Sequence, residues 1–69
     1  MSDEIRKQLR KIRRDKDISQ DSVAAIMGKS TVGYVSLLES GKRNPTLGTL
    51  TSWADALGYR LTLEPKDEA

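Results

Sequence analysis

Cysteine and histidine are both missing from this 69-residue chain, and the two absences exclude more chemistry than any other feature of its composition. Without cysteine there is no disulfide to staple a small fold and no thiolate to hold a metal. Without histidine the commonest metal ligand and the commonest general base are gone as well. The carboxylates are scattered over helix ends and the C-terminal tail, and no serine-histidine or phosphate-loop constellation occurs. A unit of 7.7 kDa also has little room for a cleft. The expectation is therefore that the chain is not an enzyme and takes neither a metal nor a cofactor. Long apolar runs are lacking too. Charges at Asp3, Glu4, Arg6 and Lys7 interrupt any signal-peptide core after Met1, and nothing approaches the roughly 20 apolar residues of a membrane span. A soluble, cytoplasmic protein with no membrane partner is expected. There are no repeats, linkers or low-complexity segments, so one domain is expected over 1–69, near the lower size limit for a single core. Its stability must come from a helical core, from oligomerisation, or from both.

What is present is charge, unevenly distributed. The net value of +2 decides little. Residues 1–16, however, carry seven Lys/Arg against three acids, and Lys42 and Arg43 add a second basic cluster. Residues 46–69 carry two basic residues against four acids. Affinity for nucleic acid rests on such clusters rather than on the total; the alternative is a merely solvated helix face.

Periodicity divides the chain into four helices and one strand. Ile5, Leu9 and Ile12 recur at helical spacing behind a Ser2 cap and an acidic first turn, predicting a helix over about 3–14. Ile18 and the Ser19 cap precede a second helix over about 20–27, with Val23, Ala24, Ile26 and Met27 as apolar contacts. Gly28 stops it. Ser30 or Thr31 then caps a third helix over about 32–40, with Val35 and Leu38 facing inward, and Gly41 ends it. Asn44-Pro45-Thr46 makes a turn. A fourth helix over about 47–57 carries the stripe Leu47, Leu50, Trp53, Ala54, Leu57 and ends at Gly58. There the period changes to two: Tyr59, Leu61 and Leu63 alternate with Arg60, Thr62 and Glu64, predicting a strand over about 59–64 before a charged tail, 65–69. No other segment reads as its partner, and the simplest solution is antiparallel pairing with the same strand of a second copy across a two-fold axis.

Two short helices joined by a glycine turn form the pattern of a helix-turn-helix, whose second helix fits a DNA major groove. The order and spacing closely resemble the Cro/repressor-type (XRE) helix-turn-helix family over about Leu9–Leu63. The segments that carry the resemblance are Leu9…Ile12-Arg13…Ile18-Ser19-Gln20, Leu38-Glu39-Ser40-Gly41-Lys42-Arg43-Asn44-Pro45-Thr46-Leu47 and Ala54-Asp55-Ala56-Leu57-Gly58. The resemblance implies an all-α, four-helix, lambda-repressor-like domain, here with a C-terminal β-strand pairing in trans in a homodimer.

It also implies site residues. The residue matching Gln20 typically bonds a DNA phosphate, in keeping with the exposed N–H groups and dipole of a helix N-terminus; simple capping is the alternative. Lys42, Arg43 and Asn44 match a phosphate-gripping loop, for which a solvated basic turn is the alternative. Arg13 and Glu39 match a pair that ties helix 1 to helix 3, structural first, and that aims the arginine toward a phosphate. Base or groove contacts fall to Lys29, Ser30, Thr31, Val32, Gly33, Tyr34, Ser36 and Leu37. Here the chain departs from the family pattern. Gly28 to Glu39 is one residue longer than usual, implying an insertion near Ser30–Val32. The positions that commonly hold Gln, Arg or Asn are Val32, Gly33 and Leu37, which cannot make bidentate base contacts. Specificity then leans on Lys29, Ser30, Thr31, Tyr34 and Ser36, on backbone near Gly33, or on DNA shape. Trp53, Tyr59, Leu61 and Leu63 are expected at a dimer interface; for Trp53 packing in the helix 4 core or the dimer seam stands against stacking on a nucleobase, and for Tyr59, Leu61 and Leu63 a leucine face folding back on the monomer is the alternative.

The reading is a sequence-specific, dimeric, nucleoid-associated transcriptional regulator that binds double-stranded DNA, most simply a repressor of an inverted-repeat operator. The rival reading is an antitoxin that binds a protein toxin and represses its own operon, because the strand after helix 4 looks similar to HipB-type antitoxins.

Overall fold

The computed structural model describes residues 3–62, and within them the chain forms four α-helices: α1 (Asp3–Asp15), α2 (Gln20–Ile26), α3 (Tyr34–Ser40) and α4 (Leu47–Ala56). Helix α3 packs against both α1 and α2, and α4 against α2. None of these helices is long and apolar enough to cross a membrane.

Local chemistry sets the helix ends. Ser19 and Thr46 stand at the N-caps of α2 and α4, where each side-chain oxygen accepts the N–H three residues on, from Ser22 at 3.0 Å and from Thr49 at 3.1 Å. These bonds satisfy donors that have no partner within the helix. Three helices close with the same double bond. Ile18 N–H reaches Arg13 O and Asp17 N–H reaches Arg14 O after α1; Lys29 and Gly28 do the same to Ala24 and Ala25, and Tyr59 and Gly58 to Ala54 and Asp55. This is the Schellman arrangement, which requires a left-handed residue at its corner. Gly28 and Gly58 supply it with φ of 78° and 83°, whereas after α1 the corner is Asp17, the one non-glycine residue with positive φ among the described residues, at 57°.

The core is built from one stripe of each helix: Leu9 of α1, Val23 and Ala24 of α2, Tyr34, Val35 and Leu38 of α3, and Leu50, Trp53 and Ala54 of α4 with Leu57 just beyond it. Ile5, Ile12, Ile18, Met27, Ala56 and Leu61 pack around its margin. Two residues expected inside are not. Leu47, at the first position of α4, is 76% exposed, and Ile26, at the last position of α2, is 62% exposed.

Four sequence expectations need correction. The third helix starts at Tyr34, not at 32, because Gly33 takes a left-handed φ of 76° as its N-cap and makes no side-chain capping bond, leaving Ser30 and Thr31 in the preceding turn. No strand occurs among the described residues. Tyr59 N–H is already spent on the α4 closing bond, Leu61 leans on the core, and Tyr59–Thr62 carries no regular structure; Leu63 and Glu64 lie outside the described residues. Trp53, expected at a dimer interface, has no exposed surface within a single chain. Its neighbours on α4 turn it into the centre of the core, where it cannot meet a second copy. Tyr34, expected to touch DNA bases, is only 5% exposed, for the reason given below.

Candidate nucleic-acid interface

The face of α1 that meets α3 is a row of arginines. Arg6, Arg10 and Arg13 recur at four and three residues, so they point the same way from the helix. They converge on the end of α3, where Glu39 is buried to 4% exposure. Arg13 grips its carboxylate side-on: Nε donates to Oε2 at 2.6 Å and Nη2 to Oε1 at 3.3 Å, while Nη1 donates to Ile18 O at 2.8 Å. Gln20 Nε2 donates to Oε1 at 3.0 Å, and Arg10 Nε stands 3.7 Å from the same oxygen. Arg6 reaches past them to the Glu39 main-chain oxygen at 2.7 Å, with its other nitrogen on Asp3 at 2.7 Å.

The electrostatic balance of this cluster is positive. Asp3 offsets Arg6 and Glu39 offsets Arg13, which leaves Arg10 with 54% of its side chain exposed as the surplus cation. Arg10, Gln20, Ser36 and Ser40 border one recess over Glu39. Gln20 has two amide N–H donors; Glu39 takes one and thereby aims the side chain. The Arg6 pair also holds the Asp3 carboxyl below its ordinary pKa, chiefly through the Arg6 hydrogen bond and then its charge. On the outer side of α1, Asp15 raises the Lys11 pKa by the same two means.

The segment from Lys29 to Asn44 presents a mixed surface. Lys29, Ser30, Thr31 and Val32 are exposed in the turn before α3, with Val32 at 94%, and Gly33 is half-buried. On α3 itself Ser36, Leu37 and Ser40 face outward. Tyr34 faces inward, because on a helix it shares its side with Val35 and Leu38, the core residues of α3. Beyond α3, Lys42, Arg43 and Asn44 are exposed. Of the site residues expected from sequence, Lys29, Tyr34, Arg43 and Asn44 line one recess and Gln20 and Ser36 line another with Arg10; Tyr34 is buried, and the Arg13 guanidinium is committed to Glu39 and Ile18. Sequence reasoning missed Arg10; the signal was the Arg6-Arg10-Arg13 spacing, which puts three cations on one face of α1 but reads equally well as a solvated face.

This surface can hold a polyanion. Cations stand at Arg10, Lys29, Lys42 and Arg43, and the outward face of α3 between them offers hydroxyls, a leucine and no acid. A family model described as Helix-turn-helix matches residues 9–63. Over 48 residues the chain is 48% identical to an uncharacterized HTH-type transcriptional regulator, y4dJ, of Sinorhizobium fredii. The match covers 70% of this chain and 61% of the relative, so the chain spans about three fifths of the relative's length. No solved structure is a match.

Proposed function

Because this chain belongs to the XRE-type helix-turn-helix family, we propose that it binds duplex DNA as a transcriptional regulator, with α3 and the turn before it in the major groove. The observation that carries the proposal is the exposed surface from Lys29 to Asn44, free of acids, with cations at Arg10, Lys29, Lys42 and Arg43. In the mechanism that follows, Gln20 and Arg10 hold a phosphate at the α2 end of the motif, Lys42, Arg43 and Asn44 hold another at the far end of α3, and together they set the depth of α3 in the groove. Base discrimination then falls on Ser30, Thr31, Ser36 and Ser40 by hydrogen bonds, on Val32 and Leu37 by contact with thymine methyls, and on DNA shape.

The protein acts as a symmetric dimer on an inverted repeat, its two α3 helices about one DNA turn apart, roughly 34 Å, and represses by occluding the promoter. A patch formed by Leu47, Gly48, Thr51, Ser52, Asp55, Tyr59 and Arg60 supports the dimer. It joins the exposed Leu47 and Tyr59 to an acid and a base, so that a two-fold axis through it sets Asp55 of one copy against Arg60 of the other. The test is selection of bound duplexes from fragmented genomic DNA by the full chain. Enrichment of a two-fold symmetric sequence is expected; recovery of no preferred sequence overturns specific regulation and leaves a protein partner, such as a toxin, as the reading to pursue.

A further inference from the structure

Tyr34 is nearly buried, and two cations lie over its ring. Lys29 Nζ lies 5.5 Å from the ring centre and Arg43 Cζ 5.3 Å, both within the range of a cation–π contact. The two come from opposite ends of the motif: Lys29 from the turn that leaves α2, Arg43 from the loop that leaves α3. Their main chains are fixed as well, Lys29 N–H on Ala24 O at 2.9 Å and Arg43 N–H on Leu37 O at 3.2 Å. Neither cation joins an ion pair among the described residues. The recess they share is lined by Tyr34, Leu38, Asn44, Pro45, Thr46 and Thr49 besides themselves, with no acid. Two like charges are therefore gathered around one aromatic ring with no carboxylate to offset them.

We infer that Tyr34 is a positioning residue: its ring holds Lys29 and Arg43 on either side of the reading segment so that both engage DNA phosphates together. The inference rests on the DNA-binding reading above. At 5% exposure the ring itself touches no base. Packing alone asks only for an apolar side chain at this place; the negative face of an aromatic ring is what orients a flexible lysine and an arginine before DNA arrives. Preorganised cations lose less side-chain entropy on binding.

The test compares the full chain with Tyr34→Phe, which keeps the ring, and Tyr34→Leu, which keeps only bulk, binding a mixed-sequence DNA duplex over a range of salt. Tyr34→Phe is expected to match the unaltered protein. Tyr34→Leu is expected to bind roughly tenfold more weakly at low salt, with a salt slope shallower by about 0.9 to 1.8, the value for one or two lost phosphate contacts. A folded Tyr34→Leu with the original slope, whether its affinity falls or not, assigns the residue to packing and overturns the inference. Proton shifts of the unbound protein give a second measurement should Tyr34→Leu not fold. The Lys29 ε and Arg43 δ protons should lie upfield of their random-coil positions in the unaltered protein and in Tyr34→Phe, and random-coil positions overturn the inference. If the unaltered protein binds no duplex, the DNA-binding reading itself fails, an outcome distinct from binding that ignores Tyr34.

Discussion

Glu39 shows how much one side chain can carry in a chain of this size. Its carboxylate is almost sealed from solvent, and it holds α1 through Arg13, the start of α2 through Gln20, and the surplus charge of Arg10. Replacing Arg13 by alanine leaves that carboxylate buried and short of its main partner, at a cost of about 3 kcal/mol. Native domains have only about 5–15 kcal/mol in total, and so small a core belongs at the lower end. Arg13→Ala should therefore lower the denaturant midpoint by a large fraction, and an unchanged midpoint in urea unfolding would show that the pair is not a tie. The Arg13–Glu39 pair was legible in sequence because both residues stand in recognisable segments. Arg6 and Arg10 were not, although their spacing marks the same helix face, because charged residues on a short helix read equally well as solvated. Tyr34 was misplaced because the turn ahead of it sets the angular phase of α3, and no residue pattern announces that phase.

Helix termini are the next level, and here the residues speak more directly. Glycine at 28, 41 and 58 announced three helix ends, since each takes a left-handed φ. The fourth end, at Asp17, adopts the same conformation without glycine and places a negative charge beside the negative pole of α1. Asp17→Gly should add up to about 1 kcal/mol, a rise in Tm of about 4–8 °C for a domain of this size; calorimetry showing a lower Tm would mean that Asp17 makes a contact worth more than its strain. Thr46→Ala removes the oxygen that receives Thr49 N–H and should cost about 1 kcal/mol by thermal melting, with no loss expected only if water caps α4 equally well. The start of α3 was the illegible boundary. Ser30 and Thr31 look like caps, yet a left-handed Gly33 ends the turn two residues later, a choice made by the geometry of the whole connection and invisible to a rule about single residues.

At the scale of the molecule, the paired basic ends imply a strongly salt-dependent association. Lys42→Met and Gln20→Ala should weaken binding to all sequences alike, and Lys42→Met should flatten the salt slope by about 0.9. A loss confined to one operator variant would instead assign the residue to base reading. Association of two copies belongs to the same scale. Leu47→Asp places a charge in the exposed α4 patch while touching no core residue, and sedimentation should then show monomers where the unaltered chain shows dimers; persistence of the dimer would place the contact elsewhere. The four-helix plan was legible because each apolar stripe repeats at helical spacing. The alternation of Tyr59, Leu61 and Leu63 was read as a strand, but a period of two over so few residues also fits a segment that leaves a helix, lays Leu61 on the core and turns Tyr59 outward over Lys16.

Trp53 lies wholly inside that core, and its indole Nε1–H finds no acceptor among the described residues. It is also the chain's single tryptophan. The protein therefore carries one indole fluorophore, with no exposed surface, inside the apolar core. Its emission should be short in wavelength in the native state and move to longer wavelength when the helices part. Light from one indole thus counts folded molecules separately from those occupied by DNA, so that a weakened variant can be sorted into failed folding or failed recognition in a single cuvette.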